Sequence, residues 1–543
     1  MNQGTATSQL TLDQAAGQKL MAAFAGYEPS AQILRLVQRQ HLGGVTLFRS
    51  LNVESPAQVR ALTAALQAAA TAAGQPPLLI GADQEGGTLM ALAGTTAFPG
   101  NMALGAAGDP ALARQVGFAL GQELAAQGVN VNYAPVCDVN NNPQNPVVGT
   151  RSFGEDPAAV AALAAAMVTG LQDAGVAATL KHFPGHGDTS GDSHHGLPVV
   201  QHDAARLQRI ELPPFAAGIA AGARLVMTAH IALPAIDGAQ DLPATLSPTI
   251  LGDILRDGLG FDGVIISDAL DMRAIQQGAG LVIDAIAAAA AGVDLLILNS
   301  VVEDQETVAA GLRQAVARGL LPHEATLASA RRVLDLKRWV SAQPQPSLDV
   351  VDCAAHRALA LEVAARAVTL VRDDAHRLPL RLAPETRLAA VVPQPADLTP
   401  ADTSSYVTPS LAAALRQRHG RVDEFVVPLN PTDADVAALR DQLRQYDLVV
   451  IGTINATTHA GQAALVQALL DSGTPVVAVA LRLPYDLAAY PSASTYLCTY
   501  SLLESSMEAL SDVLWGARPV GGRLPVSIPG LYPLGHGMTA GVA

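Results

Sequence analysis

Five segments of this chain gather residues able to move protons, hold charge or attack an electrophile. They are Asp83-Gln84-Glu85-Gly86-Gly87, Gly149-Thr150-Arg151-Ser152-Phe153 (after Asp138), the run 181–198, Thr228-Ala229-His230 and Ser267-Asp268. Each follows a short apolar run, so each stands at the same end of a repeating unit. Asp268 comes directly after Val264, Ile265, Ile266 and Ser267. A carboxylate at a strand terminus is held rigidly, as a nucleophile requires. The same position also suits a helix N-cap for residues 269–275, and position alone leaves both roles open.

The run 181–198 reads KHFPGHGDTSGDSHHGLP. Its six glycine or proline positions exclude a regular helix, so His182 and His186 do not share a helical face as zinc ligands would. No metal and no cofactor is expected. Asp192 stands two residues before His194. On an extended loop its carboxylate can accept the imidazole proton, fix the tautomer and raise the pKa, giving a general acid/base. A solvated loop histidine is the plainer alternative. His186 and His195 are read as structural. Asp83, Arg151, Lys181 and His182 carry both signs of charge. Such a mixture suits a neutral, hydroxyl-rich ligand, each hydroxyl both giving and taking hydrogen bonds. For each of the four singly, an internal salt bridge is the alternative.

The elements that must position these groups come next. Apolar runs predict strands at 44–48, 78–82, 129–133, 176–180, 225–228, 264–267 and 293–298. Their spacing leaves room for a crossover helix between parallel neighbours. Asp109-Pro110 and Asp156-Pro157 each offer a capping carboxylate and a first-turn proline, while Gly128 and Gly175 stop the helices that follow. This alternation predicts an α/β chain opening with a TIM-type (β/α)8-like barrel. Only seven strands are identified, so closure is an expectation and a doubly wound open sheet is the rival. The chemistry then gathers where segments leave the strands, at one rim. Domain limits are set at 1–340 for the barrel, 341–360 for a linker centred on SAQPQPSLD, and 361–543 for a smaller αβα sandwich. In the sandwich, strands are expected at 388–392, 425–428, 448–451 and 476–481, with helices at 354–367 and 461–471. Residues 455–459 are either a ligand loop or a cap.

Composition closes off other classes. The chain has 543 residues, half of them apolar and 15% charged, so it buries a sizeable core. Lys and Arg total 33 against 48 Asp and Glu, a net charge of −15, which argues against nucleic acid as a partner. No apolar run is long enough to span a membrane, and residues 1–10 lack the pattern of a secretory signal. Three scattered cysteines suggest neither a disulfide framework nor a metal site. A soluble cytoplasmic protein is expected.

The motifs taken together resemble family 3 glycoside hydrolases, specifically the bacterial β-N-acetylglucosaminidase branch. KHFPGHGDTSGDSHHGLP, DQEGG, GTRSFGEDP, VMTAHI and IISDALDM carry the likeness, and GGRLPVSIPG is like the family's second domain. The resemblance implies a barrel followed by an αβα sandwich, and a retaining two-step hydrolysis without metal. By motif, Asp268 is the nucleophile, and His194 is the acid and then the base, oriented by Asp192. A histidine in this role is a feature of the branch; related β-glucosidases take a carboxylic acid from the second domain. Asp83, Arg151, Lys181 and His182 match the positions that hold the non-reducing sugar. The implied substrate is a small oligosaccharide, cell-wall muropeptide or chitin-type, losing terminal β-linked GlcNAc. Phosphate in place of water, or another β-glycoside, is the alternative. One departure stands out: after DQEGG the family commonly has R-V-x-R, whereas here Thr88-Leu89-Met90-Ala91 follows. Arg49 is a candidate to supply the missing hydrogen bonds.

Overall fold

The computed structural model describes residues 10–275 and 280–539. Residues 1–9, most of the segment inspected for a signal, lie outside that range. The apolar runs of the first half form parallel strands that close on one another: β1 (Leu20–Ala22), β2 (Gly44–Leu47), β3 (Leu79–Ala82), β6 (Val131–Asn132), β7 (Ala177–Phe183), β8 (Leu225–Thr228), β9 (Val264–Ala269) and β10 (Leu295–Leu298). The strand not identified in the sequence is β1. It pairs with β10 on one side and β2 on the other, and so closes the barrel. A short hairpin, β4 (Gln84–Gly86) and β5 (Leu89–Met90), leaves the barrel directly after β3.

Side-chain alternation fills the barrel. Leu79, Val131, Ala177, Leu225, Val264 and Leu295 pack inside it, while their strand neighbours pack outward against the helices. Near the rim the buried Tyr133 crosses the interior to bond Thr46 Oγ1 at 2.8 Å. Gly81 has to be glycine, because a Cβ there would run into the Tyr133 hydroxyl. The helices start where the sequence punctuates them. Asp109 caps Pro110–Ala126 through the Ala111 N–H at 2.8 Å, and Asp156 caps Pro157–Asp173 through the Ala159 N–H at 3.1 Å.

Strand β7 runs three residues beyond its expected end, and this matters for the site. Lys181 and His182 are therefore strand residues, not loop residues. The pairing of β7 with β8 slips between Leu180 and Phe183, and such an irregularity re-aims side chains. Consecutive residues Lys181 and His182 both reach the cavity at the barrel mouth.

After the helix His323–Ser341, the chain passes through a turn at Leu348–Val350 into the helix Ala354–Ala367. A six-stranded mixed sheet follows: β11 (Thr369–Asp373), β12 (Leu388–Pro393), β13 (Val422–Val427), β14 (Leu448–Thr453), β15 (Val476–Ala480) and β16 (Thr495–Cys498). The order is β11-β16-β15-β14-β12-β13, with only β11 antiparallel to its neighbour. Strands β11 and β16 were not foreseen; β16 is four residues long and β11 follows an alanine-rich helix almost without a break. Alternate residues build two cores. Ala389, Val391, Val449 and Ile451 face one side, and Leu388, Ala390, Leu448 and Val450 the other. Because β12 lies between β13 and β14, the winding reverses there and opens a crevice at the strands' carboxyl ends. The segment leaving β12 reaches the barrel mouth, where Asp397 and residues 400–403 line the cavity.

Candidate active site

A cavity of about 530 Å³ opens at the carboxyl ends of the barrel strands. Of the seven residues singled out from the sequence, Asp83, Arg151, Lys181, His182, His194 and Asp268 line it. Asp192 stands behind His194. Its Oδ1 takes the backbone N–H of His194 at 2.9 Å and the ring Nδ1–H at 2.6 Å. That leaves His194 Nε2 without a hydrogen-bond partner among the described residues.

The two ends of this arrangement are tuned in opposite senses. Burial raises the Asp268 carboxyl, but His182, His230 and His194 together with the Ala269 N–H outweigh it and hold it below its ordinary range. Burial lowers the His194 imidazole, but the Asp192 hydrogen bond and the Asp268 charge outweigh it and lift it above the ordinary value. Asp268 is the penultimate residue of β9 and residues 270–275 form turns and bends, so among the described residues it caps no helix. The neighbouring Ala269 carbonyl takes the Nε2–H of buried His230 at 3.0 Å, which braces the backbone beside Asp268.

The charged group forms internal salt bridges, and its members Asp83, Arg151 and Lys181 also line the cavity. Lys181 Nζ lies 2.5 Å from Asp83 Oδ1 and 2.6 Å from Glu85 Oε1, while Arg151 donates to both Glu85 oxygens, at 2.9 and 2.7 Å. Glu85 was not singled out in the sequence, yet it joins the two cations. Burial raises its carboxyl, but Arg151 and Lys181 bring it down from 4.5 to about 2. Fully buried Asp138, which the sequence places after the third strand without a role, is a second such residue. It accepts from His182 Nδ1 at 2.7 Å and from the backbone of His186 at 2.7 Å. His182 Nε2 lies 3.4 Å from Arg151 Nη2. His186 is buried against Thr189 and Ser193, and burial drops its imidazole to about 4; His195 is largely exposed.

The loop carrying His194 is tied to the segment carrying Asp268. Ser193 accepts the Ala274 N–H on its carbonyl at 3.2 Å, and its hydroxyl lies 3.2 Å from His186 Nε2. The second domain adds Asp397, Pro400, Ala401, Asp402, Thr403 and Tyr406 to the cavity wall. Arg49 also lines the cavity, its guanidinium 4.7 Å from the Tyr406 ring centroid. No local pattern marks the second-domain residues, which lie more than 300 positions from Asp83. The loop 455–459 is absent from the lining. Asn455 offers its carbonyl to the N–H groups of Thr458 and His459, closing a turn before the helix Ala460–Asp471, whose N-cap His459 makes no side-chain capping bond. Among the described residues, no three of His, Cys, Asp and Glu are grouped as metal ligands, and no helix is long and apolar enough to cross a membrane.

Comparison with known proteins agrees with this geometry. The model of the glycosyl hydrolase family 3 N terminal domain matches residues 11–336, and that of the family 3 C-terminal domain matches residues 368–532. Beta-hexosaminidase A of Pseudoalteromonas piscicida is 33% identical over 96% of this chain and 97% of its own length. Beta-N-acetylglucosaminidase/beta-glucosidase of Cellulomonas fimi is 31% identical over 90% of this chain and 89% of its own. The solved structure of a glycoside hydrolase family 3 beta-N-acetylglucosaminidase from Paenibacillus sp. str. FPU-7 superposes with a TM-score of 0.91. It is 39% identical and covers 96% of this chain and 99% of that one.

Proposed function

The chain belongs to glycosyl hydrolase family 3, and from that premise we propose that it is a retaining exo-β-N-acetylglucosaminidase. At the coarser level it is a glycoside hydrolase of the β-N-acetylhexosaminidase type. In the first step an Asp268 oxygen attacks the anomeric carbon, the bond from that carbon to the leaving oxygen breaks, and His194 Nε2 gives that oxygen its proton. In the second step water attacks the same carbon and passes a proton to His194, and Asp268 leaves as carboxylate. Asp192 keeps the imidazole in the tautomer that presents Nε2. Asp83, Arg151, Lys181 and His182 hold the terminal sugar, and Arg49 adds donors that the Thr88-Leu89-Met90-Ala91 stretch lacks.

One observation carries the reading: a carboxyl held below its ordinary range and an imidazole lifted above its own line the same cavity. Both shifts run in the direction that double displacement needs before substrate arrives. Small cell-wall muropeptides or chitin-type oligosaccharides are the substrates we assign. Action in the cytoplasm belongs to the same proposal, supported by three cysteines that remain free thiols, two of them buried.

Two measurements test it. Asp268→Ala should abolish release of p-nitrophenol from the aryl GlcNAc glycoside, and wild-type turnover in that variant would refute the nucleophile. Proton NMR of the first product should show β-GlcNAc; α-GlcNAc first would mean inversion. A second reading keeps the covalent step and lets phosphate take the place of water. It is favoured by the use of histidine, which sets no negative charge against an incoming anion. Formation of a sugar 1-phosphate in phosphate buffer would decide for it.

A further inference from the structure

The hairpin that follows β3 holds the sugar-site carboxylates from two sides. Its inner strand carries Gln84 and Glu85, with Asp83 immediately before it, and its outer strand carries Leu89 and Met90. Gln84 pairs across with Met90, Gly86 pairs with Leu89, and the Ala91 N–H donates to the Asp83 carbonyl at 3.0 Å. The inner strand is pinned to the barrel. Asn132 exchanges two hydrogen bonds with the Gln84 backbone at 3.0 and 2.9 Å, and the Gln84 side chain bonds Thr95 at 2.9 Å.

The outer strand is held from the other domain. Thr403 donates its N–H to the Thr88 carbonyl at 2.8 Å and its hydroxyl to the same oxygen at 3.1 Å. The Met90 N–H in turn donates to Thr403 Oγ1 at 3.0 Å. Thr403 has a fixed base. Its neighbour Asp402 is buried, accepts Arg482 Nη1 at 2.6 Å, and also takes the N–H groups of Ser404 and Leu398. A pinned threonine thus grips the strand directly opposite the residue between Asp83 and Glu85.

We infer that Thr403 is a positioning residue for the sugar site. By locking the outer strand it fixes the height of Asp83 and Glu85, and through their ion pairs the direction in which Lys181 and Arg151 present their remaining N–H groups. The second domain thereby acts on binding of the terminal sugar through the hairpin. A shift of about 1 Å in such groups costs on the order of 10²-fold in rate when chemistry depends on them, and less when affinity alone does. This inference rests on the reading of those four residues as the groups that hold the sugar.

The test uses the full chain with Thr403→Val, which keeps shape and loses the hydroxyl, and Thr403→Ser, which keeps the hydroxyl. Kinetics are taken on whichever aryl hexoside the wild type turns over fastest. A preference for glucoside would thus overturn the GlcNAc assignment while the brace stays measurable. Thr403→Val should raise KM and the inhibition constant of the free product sugar about five- to tenfold, with kcat within about threefold. Thr403→Ser should return both constants to within about twofold of wild type. Amide exchange in residues 84–92 should quicken in Thr403→Val and not in Thr403→Ser, which reads the brace apart from activity. Wild-type constants and exchange in Thr403→Val would overturn the inference. So would equal losses in the two variants, because the hydroxyl would then not be the acting group.

Discussion

A single oxygen of Asp192 receives both the backbone N–H and the ring Nδ1–H of His194, at 2.9 and 2.6 Å. The carboxylate thus fixes the imidazole in rotation as well as in tautomer, and it raises the proton affinity of the ring. An acid raised in this way keeps its proton to higher pH than an ordinary imidazole and loses it as pH climbs through the raised value. The basic limb of kcat/KM should therefore lie above the ordinary imidazole range. Asp192→Asn should move that limb down by about one pH unit and lower kcat/KM by about 10²-fold. A pH profile of the purified variant with its limb unmoved would show that Asp192 does not set the protonation of His194.

The acidic limb has a different owner. Burial works to raise the Asp268 carboxyl, and His182 heads the charges that hold it below its ordinary range. As pH falls, Asp268 should stay ionised past the point where an ordinary aspartate protonates, so the limb belongs low. His182→Gln removes the leading opposing charge and should shift that limb upward by about half a unit or more, alongside a loss of sugar affinity. The profile of log kcat/KM between pH 3 and 6 checks it. An acidic limb at the same pH in both proteins would assign it to another group.

Glu85 should matter to stability as well as to binding. Its carboxyl falls from 4.5 to about 2 because Arg151 and Lys181 flank it in a buried setting. A carboxyl depressed on folding contributes stability above its unfolded value, and that contribution is lost as pH drops from about 4.5 toward about 2. Glu85→Gln leaves two buried cations facing Asp83 alone and should cost about 3–5 kcal/mol. Urea unfolding at pH 7 and pH 3 should show the difference between wild type and variant shrinking at the lower pH. Equal differences at both would mean that the ion pairs are not its source.

The parts of this molecule that were legible in the sequence are those set by local rules. Asp109-Pro110 and Asp156-Pro157 start helices because a carboxylate and a fixed φ suffice to start one. Asp83, Lys181 and Asp268 fall on one rim because each lies at or just after the carboxyl end of a parallel strand. What escaped depended on tertiary context. Strand β1 is three residues, Leu20-Met21-Ala22, and is a strand only because β10 and β2 flank it. Glu85 is visible in the motif, but no spacing says that it, and not Gln84, bridges Arg151 to Lys181. The bond between Met90 and Thr403 spans more than 300 positions and has no sequence signature.

Tyr406 is the remaining feature with a measurable consequence. The residue is 53% exposed and lines the cavity wall. Arg49 lies against the ring at 4.7 Å, a contact worth about 0.5–1 kcal/mol at an exposed site, which steadies the tyrosine in one plane. A flat aromatic at a glycan cavity suits the apolar face of a pyranose beyond the bond being cut. Tyr406→Ala should therefore lower kcat/KM for chitobiose and chitotriose by about five- to tenfold. Methyl β-GlcNAc, with no second ring to stack, should be hydrolysed by the variant within about twofold of wild type. An equal fall for all three substrates would place the effect of Tyr406 at the terminal sugar, through its contact with Arg49.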